Sequence, residues 1–225
     1  GYLPEERGLY PKMKVEDQLM YLGQLRGMKK NDAKLAANQW LERFDVPHYA
    51  TKKVEELSKG NQQKIQVIAS LIHKPSLIIL DEPFSGLDPV NVEMLKKAII
   101  DVQQEGATIV FSSHRMDHVE ELCEQLCIMD HGKAIVSGSL RDIKRGFGRQ
   151  NVRLKADFDL SFLNAVPGVT SYKPSKEGGL FQIGEEKIAH DLLKMALTKG
   201  DIRHFAIEEP SLQDIFIEKV GKDHA

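Results

Sequence analysis

Two short apolar runs, SLIILDEP at 76–83 and ATIVFSSH at 107–114, constrain this chain more than any other feature. The first is a short continuous apolar run ended by a turn, the mark of a buried parallel strand rather than a half-exposed one, and the second reads as another buried strand followed by polar residues. Residues 89–104 between them carry helical periodicity. Strand, helix, strand in that order argues for a parallel sheet in an α/β fold. Both runs end in residues with chemistry to offer: Asp81 and Glu82 close the first, His114 the second.

The flanks supply helices and then a second pattern. From Lys14 to Phe44 apolar residues recur at helical spacing, first Leu19, Leu22 and Leu25, then Leu35, Trp40, Leu41 and Phe44. Asn31 or Asp32 is the expected N-cap of the second helix. After the interruption DVPHYATKKVEE, Ser58 opens a third helix that stops at Pro75. Residues 115–124 read as helix, and LCIMDHGKAIVSG reads as a hairpin turning at Asp130-His131-Gly132. Composition shifts near KRGFGRQN, 144–151. Beyond it the pattern is strand (151–156), helix (159–165), strands (168–174 and 179–183), helix (185–199), strand (201–207) and helix (211–220), a separate small α+β domain.

Bulk numbers exclude several classes. With 31 basic and 33 acidic residues the net charge is -2, so nothing demands nucleic acid or an anionic membrane as partner. No apolar run approaches the ~20 residues of a membrane-spanning helix. The two cysteines, Cys123 and Cys127, lie one helical turn apart in HVEELCEQLC and are expected to be packing residues of a reduced cytosolic protein.

In an open α/β sheet, ligands bind beyond the carboxyl ends of the strands. Adjacent carboxylates there are costly unless a cation meets them, and a hard ion such as Mg²⁺ takes an acid ligand with waters and phosphates. Taken alone, Asp81-Glu82 reads equally as a solvated acidic turn. LSKGNQQK, 57–64, sets Ser58 and Gly60 at a helix start, where exposed amides bind anions; the plain alternative is an N-cap on an amphipathic helix. SGLDP, 85–89, reads by itself as a turn with Asp88-Pro89 opening the next helix. A lone His such as His114 at a strand end is more often structural.

In this order and spacing, these stretches resemble the nucleotide-binding subunit of an ATP-binding cassette (ABC) transporter. LSKGNQQK resembles the signature loop, LIILDEP the Walker B strand, SGLDP the D-loop, SSH the switch-histidine loop, and GYLPEERGLYPKMKVEDQL the Q-loop and the start of the helical subdomain. The resemblance runs from residue 1 to about 140. The remainder, centred on EEPSLQDIFIEKV, resembles the C-terminal extension of ABC-2 type exporter subunits. The implied architecture is a P-loop NTPase (RecA-like) cassette part over 1–145, with a helical subdomain at 12–75 and the core part at 76–145, followed by a C-terminal α+β accessory domain at 150–225.

The resemblance implies roles. ATP and Mg²⁺ are the expected cofactors. Asp81 would hold Mg²⁺, Glu82 would polarise the attacking water, and His114 would sense the γ-phosphate. Ser58 and Gly60 would touch ATP bound mainly by a second cassette subunit, in a homodimer or heterodimer, with Asp88 linking the two sites. Glu5 stands where the family's Q-loop glutamine would reach Mg²⁺ or its water. An integral membrane permease would dock on 12–56, with Met13, Met20, Leu25 and Met28 as candidate contacts, at the cytoplasmic face of the cell membrane. No nucleic acid is implied.

The sequence departs from the family pattern at Lys59 and Asn61 in the signature and at Glu5. No GxxxxGK[ST] occurs, and GFG at 146–148 lacks the Lys. The expectation is therefore a truncated subunit, inactive alone. With the Walker A strand missing from beside it, LIILDEP should expose edge groups and an apolar face. A non-transport cassette ATPase and a non-catalytic binding domain are the competing readings. His190, Asp191 and His204 are expected to be surface residues.

Overall fold

The computed structural model describes residues 1–6 and 8–221 and divides into two compact units, Gly1–Arg115 and Met116–Ala225. In the first, β1 (Tyr2–Leu3) leads to α1 (Val15–Leu25), α2 (Lys30–Arg43) and α3 (Lys59–Leu71), then β2 (Leu77–Asp81), α4 (Pro89–Gln104) and β3 (Thr108–Ser112). The three strands form one parallel sheet in the order β1-β2-β3.

Sequence dictates most of these elements. α1 buries Val15, Leu19 and Gly23, and α2 buries Ala33, Ala37 and Leu41, each set at i, i+4, i+8. Small residues let the two helices approach closely: a Cβ on Gly23 would stand 3.3 Å from that of Ala33. Leu25 and Leu35, expected on the apolar stripe, are exposed instead. The N-cap of α2 is Lys29, not Asn31 or Asp32. The Lys29 carbonyl accepts the Ala33 N–H at 2.9 Å, which starts the helix early and puts Asp32 in the first turn, where the helix dipole favours it. Ser58 caps α3 by accepting the Asn61 N–H at 3.4 Å, as expected.

The sheet differs from expectation in a way that bears on the site. β2 is paired on both sides, with Leu3 opposite Leu80 and Asp81 opposite Ser112, so its edge groups are satisfied. The expectation of an open LIILDEP edge fails because the short strand β1 takes the place beside it; the unpaired edges belong to β1 and β3 among the described residues. The two faces also differ. Ile78 and Leu80 are buried, whereas Tyr2 (57%), Leu77 (48%), Ile79 (44%) and Val110 (53%) are exposed on the other face. The strand that reads as buried is thus half-exposed in this chain, with an apolar face left uncovered.

The second unit opens with α5 (Met116–Leu122), the hairpin β4 (Gln125–Asp130) and β5 (Lys133–Ser139), and α6 (Leu140–Gly146). The hairpin turns at His131 (φ 47°) and Gly132 (φ 75°), the left-handed pair that a tight hairpin needs. Cys123 falls just after α5 and Cys127 lies exposed in β4, so Cys127 is not a packing residue. A four-stranded antiparallel sheet follows, in the order β7-β8-β6-β9. Its strands are β6 (Gln150–Ala156), β7 (Val169–Ser175), β8 (Gly178–Ile183) and β9 (Ile202–Glu208), with α7 (Glu186–Leu197) and α8 (Leu212–Gly221). The expected helix at 159–165 is a 3₁₀ turn, Ser161–Ala165. Val152, Leu154, Phe181 and Ile183 alternate inward and form one core with Leu163, Ala189, Leu192 and Ala196. His190, Asp191 and His204 are exposed, as expected. No helix among the described residues is long and apolar enough to cross a membrane.

Asp214 ties α8 to this domain. It accepts from the Ser211 hydroxyl (2.7 Å), the Ser211 amide (3.3 Å), Asn151 Nδ2 (3.3 Å) and Lys173 Nζ (3.4 Å). Burial pushes its pKa up, but the Ser211 donors, Lys173 and Asn151 outweigh that and hold it below the usual carboxylate range. A depressed folded-state pKa contributes stability that is present above the unfolded value of about 4 and is lost as pH falls through the folded value. Asp214→Asn is expected to cost about 1–3 kcal/mol at neutral pH and to flatten the acid-side loss of stability. Thermal unfolding at several pH values measures both.

Candidate ATP-hydrolysing site

The carboxyl ends of β1, β2 and β3 lie side by side because the strands are parallel, so Pro4-Glu5, Asp81-Glu82 and Ser112–His114 share one edge of the sheet. Asp81 sits opposite Ser112 and accepts its hydroxyl hydrogen. Glu82 then leaves the strand with φ 46°, a left-handed conformation uncommon for a non-Gly residue and found where surrounding structure enforces it. Its amide is held by the Ser112 carbonyl at 3.2 Å.

This bend aims the Glu82 side chain at the end of β3. Its carboxylate accepts the His114 amide at 2.7 Å, meets His114 Nδ1 at 2.8 Å, and lies 3.5 Å from the Ser113 hydroxyl. The Glu82 side chain is 17% exposed and that of His114 77%. Glu82 is therefore held from one side, while the His114 ring faces solvent. The two carboxylates, adjacent in sequence, have separate partners: Asp81 belongs to Ser112, and Glu82 to His114.

The helix after Ser58 packs onto the same edge. Gln63 Nε2 donates to the Pro83 carbonyl at 3.1 Å, fixing the turn after Glu82. Gln66 Nε2 donates to the Pro4 and Glu6 carbonyls, both at 3.1 Å, clamping the loop that carries Glu5. Lys64 donates to the Phe44 carbonyl at 3.2 Å, and desolvation lowers its pKa although Asp45 and Asp88 oppose this. Gly60 comes close to Gly86, where an added Cβ would stand 3.3 Å from the Gly86 carbonyl oxygen. Asp88 caps α4, accepting the Asn91 N–H at 3.0 Å, and that bond holds its carboxyl below the usual range. Asn61, the departure from the signature pattern, donates to the Tyr49 hydroxyl at 2.9 Å.

The sequence-derived candidates thus fall into two groups. Asp81, Glu82 and His114 come together. Ser58, Gly60, Asp88 and Glu5 lie on the surrounding loops, and no hydrogen bond joins Ser58 or Glu5 to the carboxylate cluster among the described residues. Ser112, Gln63 and Gln66 were missed. Ser112 could have been found from strand register alone, since a parallel pairing of LIILD with TIVFS sets it opposite Asp81. The buried glutamines carried a weaker signal, polar residues on the inward face of an amphipathic helix.

The donor set fits a hard cation carrying phosphate. Asp81 and the Ser112 hydroxyl are oxygen donors, and no group of three or more His, Cys, Asp or Glu that could hold a metal occurs among the described residues. Such a site suits Mg²⁺ held by one carboxylate, waters and substrate phosphate oxygens.

The carboxyl edge of this parallel α/β sheet thus carries an acidic pair and a histidine. Residues 1–85 match the ABC transporter family, and residues 138–220 match the C-terminal domain of DrrA1-3-like ATP-binding proteins. The chain is 59% identical to the uncharacterized ABC transporter ATP-binding protein YhaQ of Bacillus subtilis over 221 residues, 98% of this chain and 74% of that protein. It is 28% identical to the linearmycin resistance ATP-binding protein LnrL of the same organism over 231 residues, 99% of this chain and 74% of that one. A solved ATP-binding subunit of an ABC transporter superposes with a TM-score of 0.62 at 29% identity, covering 65% of this chain. This chain spans 61% of that subunit's length. The protein belongs to the ABC transporter ATP-binding proteins.

Proposed function

We propose that this chain carries the hydrolytic half of an ATPase subunit that energises a separate membrane permease, in the direction of export. The observation that carries the proposal is the divided carboxylate pair, Asp81 on Ser112 and Glu82 on His114. MgATP, when bound, supplies the phosphorus that water attacks. Asp81 orients toward the metal, and Glu82 accepts the proton of the attacking water once His114 releases it. His114, exposed beside Glu82, is placed to turn toward a γ-phosphate. Ser58 and Gly60 offer their amides to nucleotide on a second cassette subunit, with Asp88 near that junction. Glu5, on the loop clamped by Gln66, would reach Mg²⁺ or its water. Similarity to a protein named for linearmycin resistance favours export, since removing a compound confers resistance.

The uncovered apolar face of β2 and β3 supports a companion proposal, that another segment of the full-length subunit lies over it and brings the phosphate-binding loop. On this reading the subunit works at the cytoplasmic face of the membrane, with 1–145 as the cassette part and 150–225 as an accessory domain. The 225-residue chain alone is expected to show no ATPase activity above background. A normal cassette rate from it would overturn this part of the proposal. In the full-length subunit, His114→Ala is expected to lower turnover about 10²-fold or more, read by phosphate release, and native turnover would contradict the site. Gly60→Ala crowds the Gly86 carbonyl and is expected to lower turnover several-fold without unfolding the subunit; unchanged turnover would argue against the signature-loop role.

A further inference from the structure

We propose that Tyr49 is a positioning residue for the signature loop, holding Ser58, Lys59 and Gly60 in place through Asn61. The proposal rests on the reading of that loop as the part that meets nucleotide on a second cassette subunit. Asn61 is one of the positions where the sequence departs from the family pattern, and its side chain is committed within the chain. Its Nδ2 donates to the Tyr49 hydroxyl at 2.9 Å. Its backbone N–H donates to the Ser58 hydroxyl at 3.4 Å. Tyr49, Asn61 and Ser58 thus form one bonded series that runs into the loop.

Ser58 is the N-cap of α3, so Lys59, Gly60 and Asn61 are its first three residues. The first amides of a helix have no acceptor within it. The Asn61 amide has the Ser58 hydroxyl, whereas those of Ser58, Lys59 and Gly60 meet no acceptor among the described residues. They are what the loop can offer a phosphate. Such amides bind well only when their backbone is already held, since a loose segment must be ordered on contact.

Tyr49 is a firm post for this purpose. It closes the 3₁₀ turn Pro47–Tyr49, with its amide on the Val46 carbonyl at 3.0 Å and its carbonyl taking the Lys52 amide at 2.9 Å. Its ring centroid lies 4.1 Å from that of His48, and Lys52 Nζ stands 5.2 Å over the ring. Gln62 ties α3 to the same stretch, donating to the Val54 carbonyl at 3.0 Å and the Leu57 carbonyl at 2.9 Å. Those two bonds fix the chain leading up to the loop, and the Tyr49 hydroxyl holds the residue that closes it. Loss of that hydroxyl releases the Asn61 side chain, and the first turn of α3 frays. Tyr49 touches no reacting atom and acts only through Asn61.

Two measurements test this. In the 225-residue chain, Tyr49→Phe, which removes a single oxygen, is expected to speed hydrogen exchange of the Gln62 amide about fivefold. That amide makes the first bond of α3, to the Ser58 carbonyl at 2.9 Å, and exchange at Ile68, deeper in the helix, should not change. Asn61→Ala breaks the same side-chain bond from its other end, so Tyr49→Phe should add nothing in that background. In the full-length subunit, Tyr49→Phe should lower kcat about fivefold with KM for ATP unchanged, and again add nothing once Asn61 is Ala. Unchanged Gln62 exchange, exchange that rises equally at Ile68, or a Tyr49→Phe effect that persists in the Asn61→Ala background overturns the proposal whatever turnover does. Faster exchange at Gln62 alone with native turnover supports the anchor and removes the signature loop from the reaction.

Discussion

Glu82→Gln in the full-length subunit is expected to lower kcat for ATP hydrolysis by about 10² to 10⁴-fold while leaving ATP affinity within about twofold of native. The amide oxygen can still accept the His114 N–H, so the left-handed bend at Glu82 and the contact to β3 persist. What disappears, in the proposed role, is the ability to take a proton from water. The substitution therefore separates geometry from chemistry. Equilibrium nucleotide binding and single-turnover hydrolysis on the same preparation check it. A loss of binding in step with turnover would mean that Glu82 supports the fold of the site rather than the reaction.

The second large effect concerns the accessory domain. Phe181 is fully buried at the centre of the four-stranded sheet, and its ring stacks on Tyr172 of the neighbouring strand at 4.6 Å and 17°. Phe181→Ala is expected to destabilise that domain by about 3–5 kcal/mol, through lost burial and the cavity left behind. For a domain of this size that corresponds to a fall of about 10 °C or more in its transition, read by calorimetry. Because the domain has its own core, the transition of the Gly1–Arg115 unit should move little. A single shared transition that falls as one would show that the two units unfold together.

The strands, the hairpin and the acidic pair were legible because each depends on local pattern. LIILD and TIVFS are apolar blocks with polar ends, and Asp-His-Gly permits a tight left-handed turn. The partnership of Asp81 with Ser112 was less visible, since it needs the register between two strands, which no single stretch encodes. Lys29 displaced Asn31 and Asp32 as the cap because the backbone started α2 before the side chain best suited to capping it. Leu25 and Leu35 carry helical spacing yet face solvent, as periodicity marks a stripe and not what covers it. The pairing of β2 with Tyr2–Leu3 was missed because a two-residue strand leaves almost no compositional trace. Glu120 lies on a helix whose sequence gives no hint of α8, and only the tertiary contact reveals that it accepts the Leu212 N–H.

The division of labour between Asp81 and Glu82 is most directly tested by the Mg²⁺ dependence of ATP binding. In the full-length subunit, ATP affinity is measured with Mg²⁺ and with a chelator for Asp81→Asn and Glu82→Gln side by side. Asp81→Asn is expected to lose the Mg²⁺-dependent part of the affinity, about tenfold or more, because in the proposed role Asp81 is the charged oxygen donor to the metal. Glu82→Gln is expected to keep native affinity and native Mg²⁺ dependence while failing to turn over. Equal loss of Mg²⁺-dependent binding in both variants would contradict the separate roles assigned to the two carboxylates.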